Sequence, residues 1–406
     1  MKKRLFAVLL VMAFAFSLHA QATNNTVSVP SSFASASSER YVVWSNSGSA
    51  DAAGMVVLLD GLFDVYNEYF RFDEAGLKGH LSVRKFSDKN SFDAYLRKII
   101  GETKDDFVYL HYPTIERSEL VIFNKDNADD FNASLAHQAF VQFLKAFVPE
   151  PPLWIREGFA VFFEKTRLDP NTGNVVFTEN QAWLETVKLL KSQKRLYPVA
   201  ELMDISSEEA RDGLDVFYPE SWAVVSFFIN SPDRRYNRVI WDAMARLNSD
   251  NSFEKNQSTV KNFIFKWHNP SALESDFAAY LDSQKTFAEL VTSGVRFYGD
   301  KDLESAARNF SQAQLKNPNN YIPYYYLGLI AYARGDYALA DNYYTKSLEL
   351  GSDAPITNYA LGINAYASRR FDEARYYLEM AMAGDPAKYE SKAGELIARI
   401  DSDSEN

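Results

Sequence analysis

The 406-residue chain contains no cysteine. This absence excludes disulfide bonds, metal sites built on thiolates and a lipid-anchored N-terminal cysteine. A fold without such cross-links must be stabilised by its hydrophobic core. The sequence is long enough for two domains, and its 47% of hydrophobic residues and 15% of aromatic residues provide for well-filled cores.

Long apolar runs are also missing, apart from one near the N-terminus. Three basic residues precede 14 largely apolar residues over 5–18, and His19-Ala20-Gln21 follows. This arrangement is typical of a cleaved signal peptide over 1–20. The alternative is a membrane anchor, which needs about 20 apolar residues. We therefore expect an exported protein with no membrane insertion after signal cleavage. The periplasm is the expected compartment, and secretion is the alternative.

Basic residues are outnumbered by acidic ones. The sequence has 43 Lys and Arg against 54 Asp and Glu, a formal net charge of −11. Without the three basic residues of the signal peptide, 40 remain and the net charge is −14. A chain this acidic repels phosphate backbones, and it has no concentrated basic stripe. Nucleic-acid binding is not expected.

The order of local patterns indicates a mixed part followed by helices. Residues 21–38, mostly Ser, Thr, Asn and Ala, predict a flexible leader. Strand and helix patterns then alternate as far as 165, and helical patterns follow to about 285. The predicted strands are 41–44, 80–86, 107–112 and 119–123. The predicted helices are 52–70, 92–100 after an N-cap at Ser91, 130–147, 153–165, 183–190, 220–229, 237–247, 259–267 and 273–281.

Two segments carry part of a zinc-peptidase pattern. Residues 135–141 read Leu-Ala-His-Gln-Ala-Phe-Val, and residues 154–160 read Trp-Ile-Arg-Glu-Gly-Phe-Ala. A working site has His-Glu-x-x-His on one helix, because two histidines four residues apart reach one ion and the Glu is the general base. A further Glu follows on the next helix.

Half of these parts are replaced in this chain. His137 and Glu157 are present, but Gln138 stands where the base belongs and Val141 stands where the second histidine belongs. An amide has no useful basicity and a valine has no lone pair. The other histidines have no partner four residues away. The pattern therefore predicts a frame from which the catalytic chemistry has been removed.

The segments 152–164 and 218–222 resemble those of the peptidase-MA-like gluzincins. In that family the helix after the zinc helix reads approximately Trp-Leu-x-Glu-Gly-Leu-Ala-x-Tyr, and a later helix begins Tyr-x-x-Ser-Trp. The resemblance covers about 39–285 and implies an α+β zincin-like domain with a helical second half. It also implies zinc-ligand positions for His137 and Glu157, and an edge strand at 119–123 that pairs with an extended substrate.

The replaced residues decide what we expect of this domain. With Gln138 and Val141 we expect it to be inactive and to need no cofactor. Zn²⁺ is expected only if the chain is an active metallopeptidase with a non-standard ligand set. There are two alternatives to metal binding. His137 is then a core residue with satisfied hydrogen bonds, and Glu157 is a local partner of Arg156 or Arg167.

The last part of the chain is an internal repeat with a period of 34 residues. Gly294, Gly328 and Gly362 recur at this spacing. The pattern resembles the tetratricopeptide repeat, in which a small residue lets two helices approach and a large residue fills the gap. It predicts an all-α tetratricopeptide-repeat solenoid of three repeats over 287–388, a capping helix at 389–400 and an unstructured acidic tail at 401–406. The other matched positions are Tyr298, Tyr332 and Tyr366; Ala306, Ala340 and Ala374; and Phe310, Tyr344 and Leu378.

Solenoids of this kind perform no chemistry and present a concave face to a peptide or protein partner. Tyrosine suits such a face, because it gives a large contact area at little cost in conformational entropy. The alternative is that these tyrosines only pack between helices. The face has no Lys/Arg set that would clamp an acidic C-terminal peptide. The residues predicted to contact a partner are Tyr325, Leu329, Tyr332, Tyr359, Ile363 and Tyr366.

Together these patterns predict an exported protein-binding adaptor or scaffold, built from an inactive peptidase-like domain and a repeat module. Two alternatives remain open at this stage. In the first, the chain is an active zinc-dependent metallopeptidase with an unusual ligand set. In the second, the front domain is only a spacer and the repeats carry the whole function.

Overall fold

The computed structural model describes residues 32–169 and 172–404. The chain divides into two compact units between Ser283 and Gln284. The predicted signal peptide at 1–20, most of the leader and the last two residues lie outside the described residues. No helix in the described part is both long enough and apolar enough to cross a membrane.

A five-stranded mixed sheet lies in the front unit, in the order β1-β2-β3-β5-β4. Strands β2, β3 and β5 are parallel, while β1 and β4 are antiparallel to their neighbours at the two edges. A separate hairpin pairs β6 with β7. The strands are β1 (Ala34–Ser37), β2 (Tyr41–Ser45), β3 (Leu81–Phe86), β4 (Val108–Leu110), β5 (Glu119–Phe123), β6 (Arg167–Leu168) and β7 (Val175–Val176).

The sheet corrects two predictions. The end of the flexible leader forms the edge strand β1, because the backbone of 34–37 pairs with β2. Residues 119–123 form the interior strand β5 and not an edge, since β3 and β4 pair with its two sides. The edge strand on that side is β4, and its residues are at most 3% exposed. An extended peptide therefore has no open strand to join there.

Eleven helices complete the described part of the front unit, with two short 3₁₀ helices at Glu74–Gly76 and Ile115–Arg117. Each predicted helical segment overlaps an observed helix, but seven of the nine helices begin two to six residues earlier than expected. The helices are α1 (Ser49–Phe70), α2 (Lys89–Ile100), α3 (Ala128–Phe147), α4 (Leu153–Phe163), α5 (Leu184–Ser192), α6 (Val199–Leu202), α7 (Ser207–Asp212), α8 (Leu214–Asn230), α9 (Arg234–Met244), α10 (Phe253–Trp267) and α11 (Pro270–Ser283).

Two of the early starts, those of α2 and α8, have clear local causes. Helix α2 is capped by Asp88, whose side chain accepts hydrogen bonds from the backbone and the hydroxyl of Ser91, so Ser91 lies inside the helix. Helix α8 begins at Leu214 and includes Pro219. A proline this close to the start removes few helical hydrogen bonds. Burial of the residues on both sides of it stabilises the helix across it.

Aromatic side chains fill the core between α1, α3 and α4. The ring of Tyr66 on α1 lies 5.3 Å from Phe140 on α3 and 4.9 Å from Phe163 on α4. The Tyr66 hydroxyl donates a hydrogen bond of 2.7 Å to the carbonyl oxygen of Ala136. These contacts fix α3 at the residue immediately before His137.

Helices α4 and α8 are in close contact at Gly158. A Cβ atom on Gly158 would lie 2.5 Å from the carbonyl oxygen of Ser221 and 2.7 Å from a methyl carbon of Val225. Only glycine fits at this distance. Gly158 directly follows Glu157, so this contact also fixes the position of Glu157 relative to α8.

The second unit consists of seven helices in the described residues, and the first six form three pairs. We call the first helix of each pair the A helix and the second the B helix. The A helices α12, α14 and α16 contact one another in sequence, and α18 follows α16. The helices are α12 (Phe287–Gly299), α13 (Leu303–Lys316), α14 (Tyr321–Ala333), α15 (Tyr337–Glu349), α16 (Ala354–Ala367), α17 (Phe371–Gly384) and α18 (Pro386–Ser404).

The repeated glycines act as predicted from their spacing. A Cβ atom on Gly328 would lie 2.5 Å from the ring of Tyr344, and one on Gly362 would lie 2.8 Å from Leu378. Gly294 has the same relation to Phe310, at 2.8 Å. In each pair, therefore, a missing side chain on the A helix makes room for a large residue on the B helix.

The end of the chain differs from the prediction. Helix α18 begins at Pro386, before the predicted cap at 389, and continues to Ser404 through most of the predicted tail. Arg375 on α17 donates a hydrogen bond to Asp401, and this ion pair holds the acidic turn in helical form. Residues 401–404 are thus helical rather than unstructured.

The contact at Gly158 gives a direct test of the front unit. We expect Gly158→Ala to lower the free energy of unfolding by about 2 kcal/mol, because the added methyl group meets backbone that cannot move aside. Gly54→Ala is the matched control, since a Cβ atom on that helical glycine meets nothing within 4 Å. The control should be neutral or stabilising by ~0.5–1 kcal/mol.

All six tryptophans precede residue 283, so the tryptophan fluorescence of the full chain in urea follows the front unit alone. Equal midpoints for the two variants would contradict the close approach of α4 and α8.

Candidate functional site

The site suggested by the sequence lies where α3 and α4 pack against each other. Helix α3 is capped by Asn127, whose side chain accepts from the backbone of Asp129 and Asp130. Gln142, on the same helix, donates a hydrogen bond of 3.0 Å to the carbonyl oxygen of Ser82 on β3. The bond from Gln142 fixes α3 relative to the sheet.

His137 is bound by a carboxylate at each ring nitrogen. Its Nδ1 lies 2.9 Å from Oε1 of Glu164, and its Nε2 lies 3.3 Å from Oε2 of Glu157. Asn180 Nδ2 donates a hydrogen bond of 2.6 Å to the other oxygen of Glu164. His137 is 7% exposed and Glu157 is 4% exposed, so the whole group is shielded from water.

A second cation binds Glu157 from the opposite side. Nε of Arg156 donates a hydrogen bond of 2.5 Å to Oε1 of Glu157, and both side chains are buried. Tyr218 on α8 also hydrogen-bonds to Glu157. The four central groups, namely His137, Arg156, Glu157 and Glu164, form a buried ion network whose charges balance when the imidazole is protonated.

The pKa shifts follow from this arrangement. Burial by itself would lower the pKa of His137, but the hydrogen bonds to Glu157 and Glu164 outweigh it and raise the pKa to about 9. Burial would raise the pKa of Glu157, but the charge of Arg156 and the bond to His137 lower it to about 2. At neutral pH, His137 is therefore an imidazolium ion that donates from both nitrogens.

Lys145 lies beside the ion network. Its Nζ donates a hydrogen bond of 2.7 Å to the carbonyl oxygen of Pro149 and lies 3.9 Å from the carboxylate of Glu150. Burial, together with the positive charge of Arg156, lowers the pKa of Lys145 to about 7. Burial, and next to it the charge of Arg156, thus makes a further positive charge at this position unfavourable.

The residues present do not fit a catalytic zinc ion. Such an ion takes three protein ligands and a water. The two ring nitrogens of His137 point in opposite directions, so Glu164 and Glu157 cannot bind one ion together with this ring. Val141, one turn after His137, is apolar and buried, and Gln138 is half-buried. In the part of the chain that the structure describes, no three His, Asp or Glu side chains form a group able to hold a metal.

Sequence reasoning anticipated part of this site. The pairing of Glu157 with Arg156 is observed, whereas Arg167 lies 4.0 Å from Asp129. Glu164 was missed as a partner of His137. Its spacing of seven residues from Glu157, two helical turns, was the signal that both face the same side. No sequence signal points to Asn180, which reaches Glu164 only after the hairpin β6–β7.

The six residues predicted to contact a partner lie on two adjoining A helices. Three are on α14 and three on α16, and all six are half-buried. The four tyrosines also pack on other rings. The pairs are Tyr325 with Tyr344 at 6.1 Å, Tyr332 with Tyr337 at 6.0 Å, Tyr359 with Tyr389 at 4.9 Å and Tyr366 with Phe371 at 5.9 Å between centroids.

Comparison with known proteins gives limited similarity. A sequence profile of a family described as a protein of unknown function (DUF1570) matches residues 133–250, which include His137, Glu157 and α8. No protein with a curated description matches the chain. One solved structure, titled "First TPR of Spaghetti (RPAP3) bound to HSP90 peptide SRMEEVD", is 14% identical over 30% of this chain and 94% of that chain, with a TM-score of 0.28. A TM-score this low does not establish a shared fold.

The ion network predicts a specific dependence of stability on pH. The pKa of His137 in the folded chain, about 9, lies above the ordinary value of 6.5. Its contribution is therefore complete below pH 6.5 and is lost as the pH rises through 9. We expect His137→Gln to lower the free energy of unfolding by about 3 kcal/mol at pH 6, and by much less at pH 9.5.

Urea unfolding followed by tryptophan fluorescence at both pH values measures this difference. His80→Gln, at an exposed position, is the matched control and should have little effect at either pH. Lys145 titrates in both the native chain and the variant, so comparing them isolates His137. A loss of stability that is the same at pH 6 and pH 9.5 would show that His137 is not held as a cation.

Proposed function

We propose that this chain is an exported protein-binding adaptor or scaffold. Its front unit is a zincin-like, peptidase-MA-like domain without catalytic capacity, and its second unit is a tetratricopeptide-repeat module that binds a peptide or protein partner. The observation that carries this proposal is the row of adjoining A helices, on which all six predicted contact residues are half-buried.

Half-buried aromatic residues suit a recognition surface. Tyr325 and Tyr359 each pack one side against a neighbouring ring, which limits the rotamers they lose on binding. Part of each side chain remains accessible to a partner. A peptide that covers these residues gains a large apolar contact area from side chains that are already ordered.

The ion network supports the absence of catalysis. In a working site a metal neutralises the charge of the glutamate, whereas here the Arg156 guanidinium and the His137 imidazolium do so. The imidazolium has no lone pair to offer an ion. Gln138 replaces the general base, so a water molecule has no proton acceptor at that position. These features favour binding over peptide hydrolysis as the function of the chain.

The zincin-like interpretation of the frame rests on the order of the elements. A mixed sheet precedes a helix with His137 and then a helix with Glu157, and the chain is helical after the short hairpin β6–β7. Binding of an extended peptide along the sheet is not part of this proposal, because the residues of β4 are buried. The repeats are therefore the proposed binding module. Export to the periplasm or beyond the cell rests on the pattern of residues 1–20 alone.

One distance favours a second candidate, an active zinc-dependent metallopeptidase with a non-standard ligand set. Nε2 of His137 and Oε2 of Glu157 are 3.3 Å apart, and two ligands of one tetrahedral zinc ion would be separated by about 3.4 Å. This candidate lacks a third protein ligand among the described residues. One zinc per native chain, together with hydrolysis abolished both by a chelator and by Glu157→Ala, would establish it against our proposal.

The binding proposal is tested with a library of random peptides displayed on phage and selected on the full chain. We expect selected peptides whose binding falls at least tenfold in Tyr325→Ala and in Tyr359→Ala. Tyr376→Ala is the matched control, because Tyr376 is 58% exposed on the B helix α17, and it should bind as the native chain does. Circular dichroism of each variant verifies folding. Peptides that bind all variants equally would exclude the A-helix face as the binding site.

The zincin-like frame is tested by restoring one ligand. In Val141→His, histidines at 137 and 141 would stand one helical turn apart beside Glu157 and give three donors. We expect this variant to bind about one zinc ion per chain by elemental analysis after dialysis, while the native chain retains far less. Gln138→His is the control, because adjacent residues on a helix do not face one another. Failure of Val141→His to gain zinc would contradict the zincin-like interpretation.

A further inference from the structure

Charged side chains are unevenly distributed in the repeats. The A helices α14 and α16, over Tyr321–Ala333 and Ala354–Ala367, contain no Asp, Glu, Lys or Arg. The B helices α13, α15 and α17 each carry at least three charged residues. The part of the A-helix row that bears the six predicted contact residues is therefore uncharged.

Charged residues near this face lie outside the two helices and are of both signs, since Lys388 on α18 lies close to Asp353 and to the Tyr389 ring that packs on Tyr359. Asp353 precedes α16 and acts electrostatically on Tyr325, and Glu395 on α18 acts on Tyr359. A charged side chain of a partner that is desolvated against α14 and α16 finds no ion-pair partner there, which is unfavourable. A partner with an acidic side chain also meets repulsion from Asp353 and Glu395. An uncharged segment avoids both costs.

The spacing of the tyrosines indicates the form of that segment. Tyr325 and Tyr332 stand seven residues apart, which is about 10 Å along α14. A polyproline II strand advances ~9 Å in three residues. Grooves lined with aromatic residues bind such strands, because the flat rings contact proline and apolar side chains and polar groups on the aromatics bond the peptide carbonyls. Tyr359 and Tyr366 repeat the same spacing on α16.

We propose that the face formed by α14 and α16 binds an uncharged, extended peptide segment of a partner protein, with proline or apolar side chains at intervals of three residues. This proposal rests on the proposed function of the repeats and names the chemistry of their partner. The absence of charge on both helices selects against acidic and basic peptides, and the tyrosine spacing selects the extended form.

The composition of the peptides selected from the random library tests this proposal. Among peptides that require Tyr325 and Tyr359, we expect Asp, Glu, Lys and Arg to be depleted at least threefold relative to the unselected library. Proline and aliphatic residues should be enriched at a spacing of three. The second measurement uses Ile363→Lys, which places one positive charge in the middle of the face on α16. A new selection on this variant should recover acidic peptides, whereas Tyr376→Lys on α17 should leave the selected composition unchanged.

The outcomes separate this inference from the proposed function. Peptides that depend on Tyr325 and Tyr359 but share a charged consensus would overturn the inference and leave the binding function intact. If the peptides selected on Ile363→Lys have the same amino-acid composition as those selected on the native chain, the inference is also overturned. The charge of this face would then not determine which peptides bind. If no selected peptide depends on the two tyrosines, both the inference and the proposed function of the repeats fail.

Discussion

Both units of this protein depend on close contact between helices at a glycine. In the front unit, the backbone of Gly158 on α4 lies against the carbonyl group of Ser221 on α8. In the second unit, Gly328 and Gly362 leave room for Tyr344 and Leu378. Helices that touch at a glycine lie closer together than those separated by two side chains. This spacing positions the neighbouring residues, including Glu157 beside Gly158 and the half-buried tyrosines of the A helices.

The arrangement around His137 shows how the charge of a buried carboxylate can be balanced by the chain itself. Glu157 would be costly to bury alone. Arg156 and the protonated His137 stabilise it, and Asn180 holds the second carboxylate, Glu164, on the far side of the ring. Such a network is worth little as net stability compared with apolar packing, but breaking it leaves an unpaired buried charge. The network therefore ties α3 to α4 in one register.

More of the fold than of the candidate site could be predicted from the sequence. Regular patterns, such as the 34-residue repeat and the apolar spacing of α1 and α3, predicted helices because each pattern is set by local geometry. The order of the strands in the sheet was harder to predict than the helices. Strand β5 lies between β3 and β4, and no local sequence signal specifies this pairing. The edge strand β1 was missed because its Ala and Ser residues resemble a linker. At the site, His137 and Glu157 were found from their motif. Glu164 could have been found from its spacing of seven residues from Glu157. Asn180 depends on how the chain returns to α4 after the hairpin β6–β7, which only the folded chain shows.

The uncharged composition of α14 has a consequence for the unfolded chain. Residues 324–332 contain four tyrosines together with leucine and isoleucine, and within them only Gly328 and, more weakly, Ala331 disfavour a β-strand. Segments of this kind self-associate into cross-β assemblies when they are exposed. In the folded unit, packing against α15 and α16 keeps the segment helical. The contacts between repeats thus protect the chain from aggregation as well as shaping its surface.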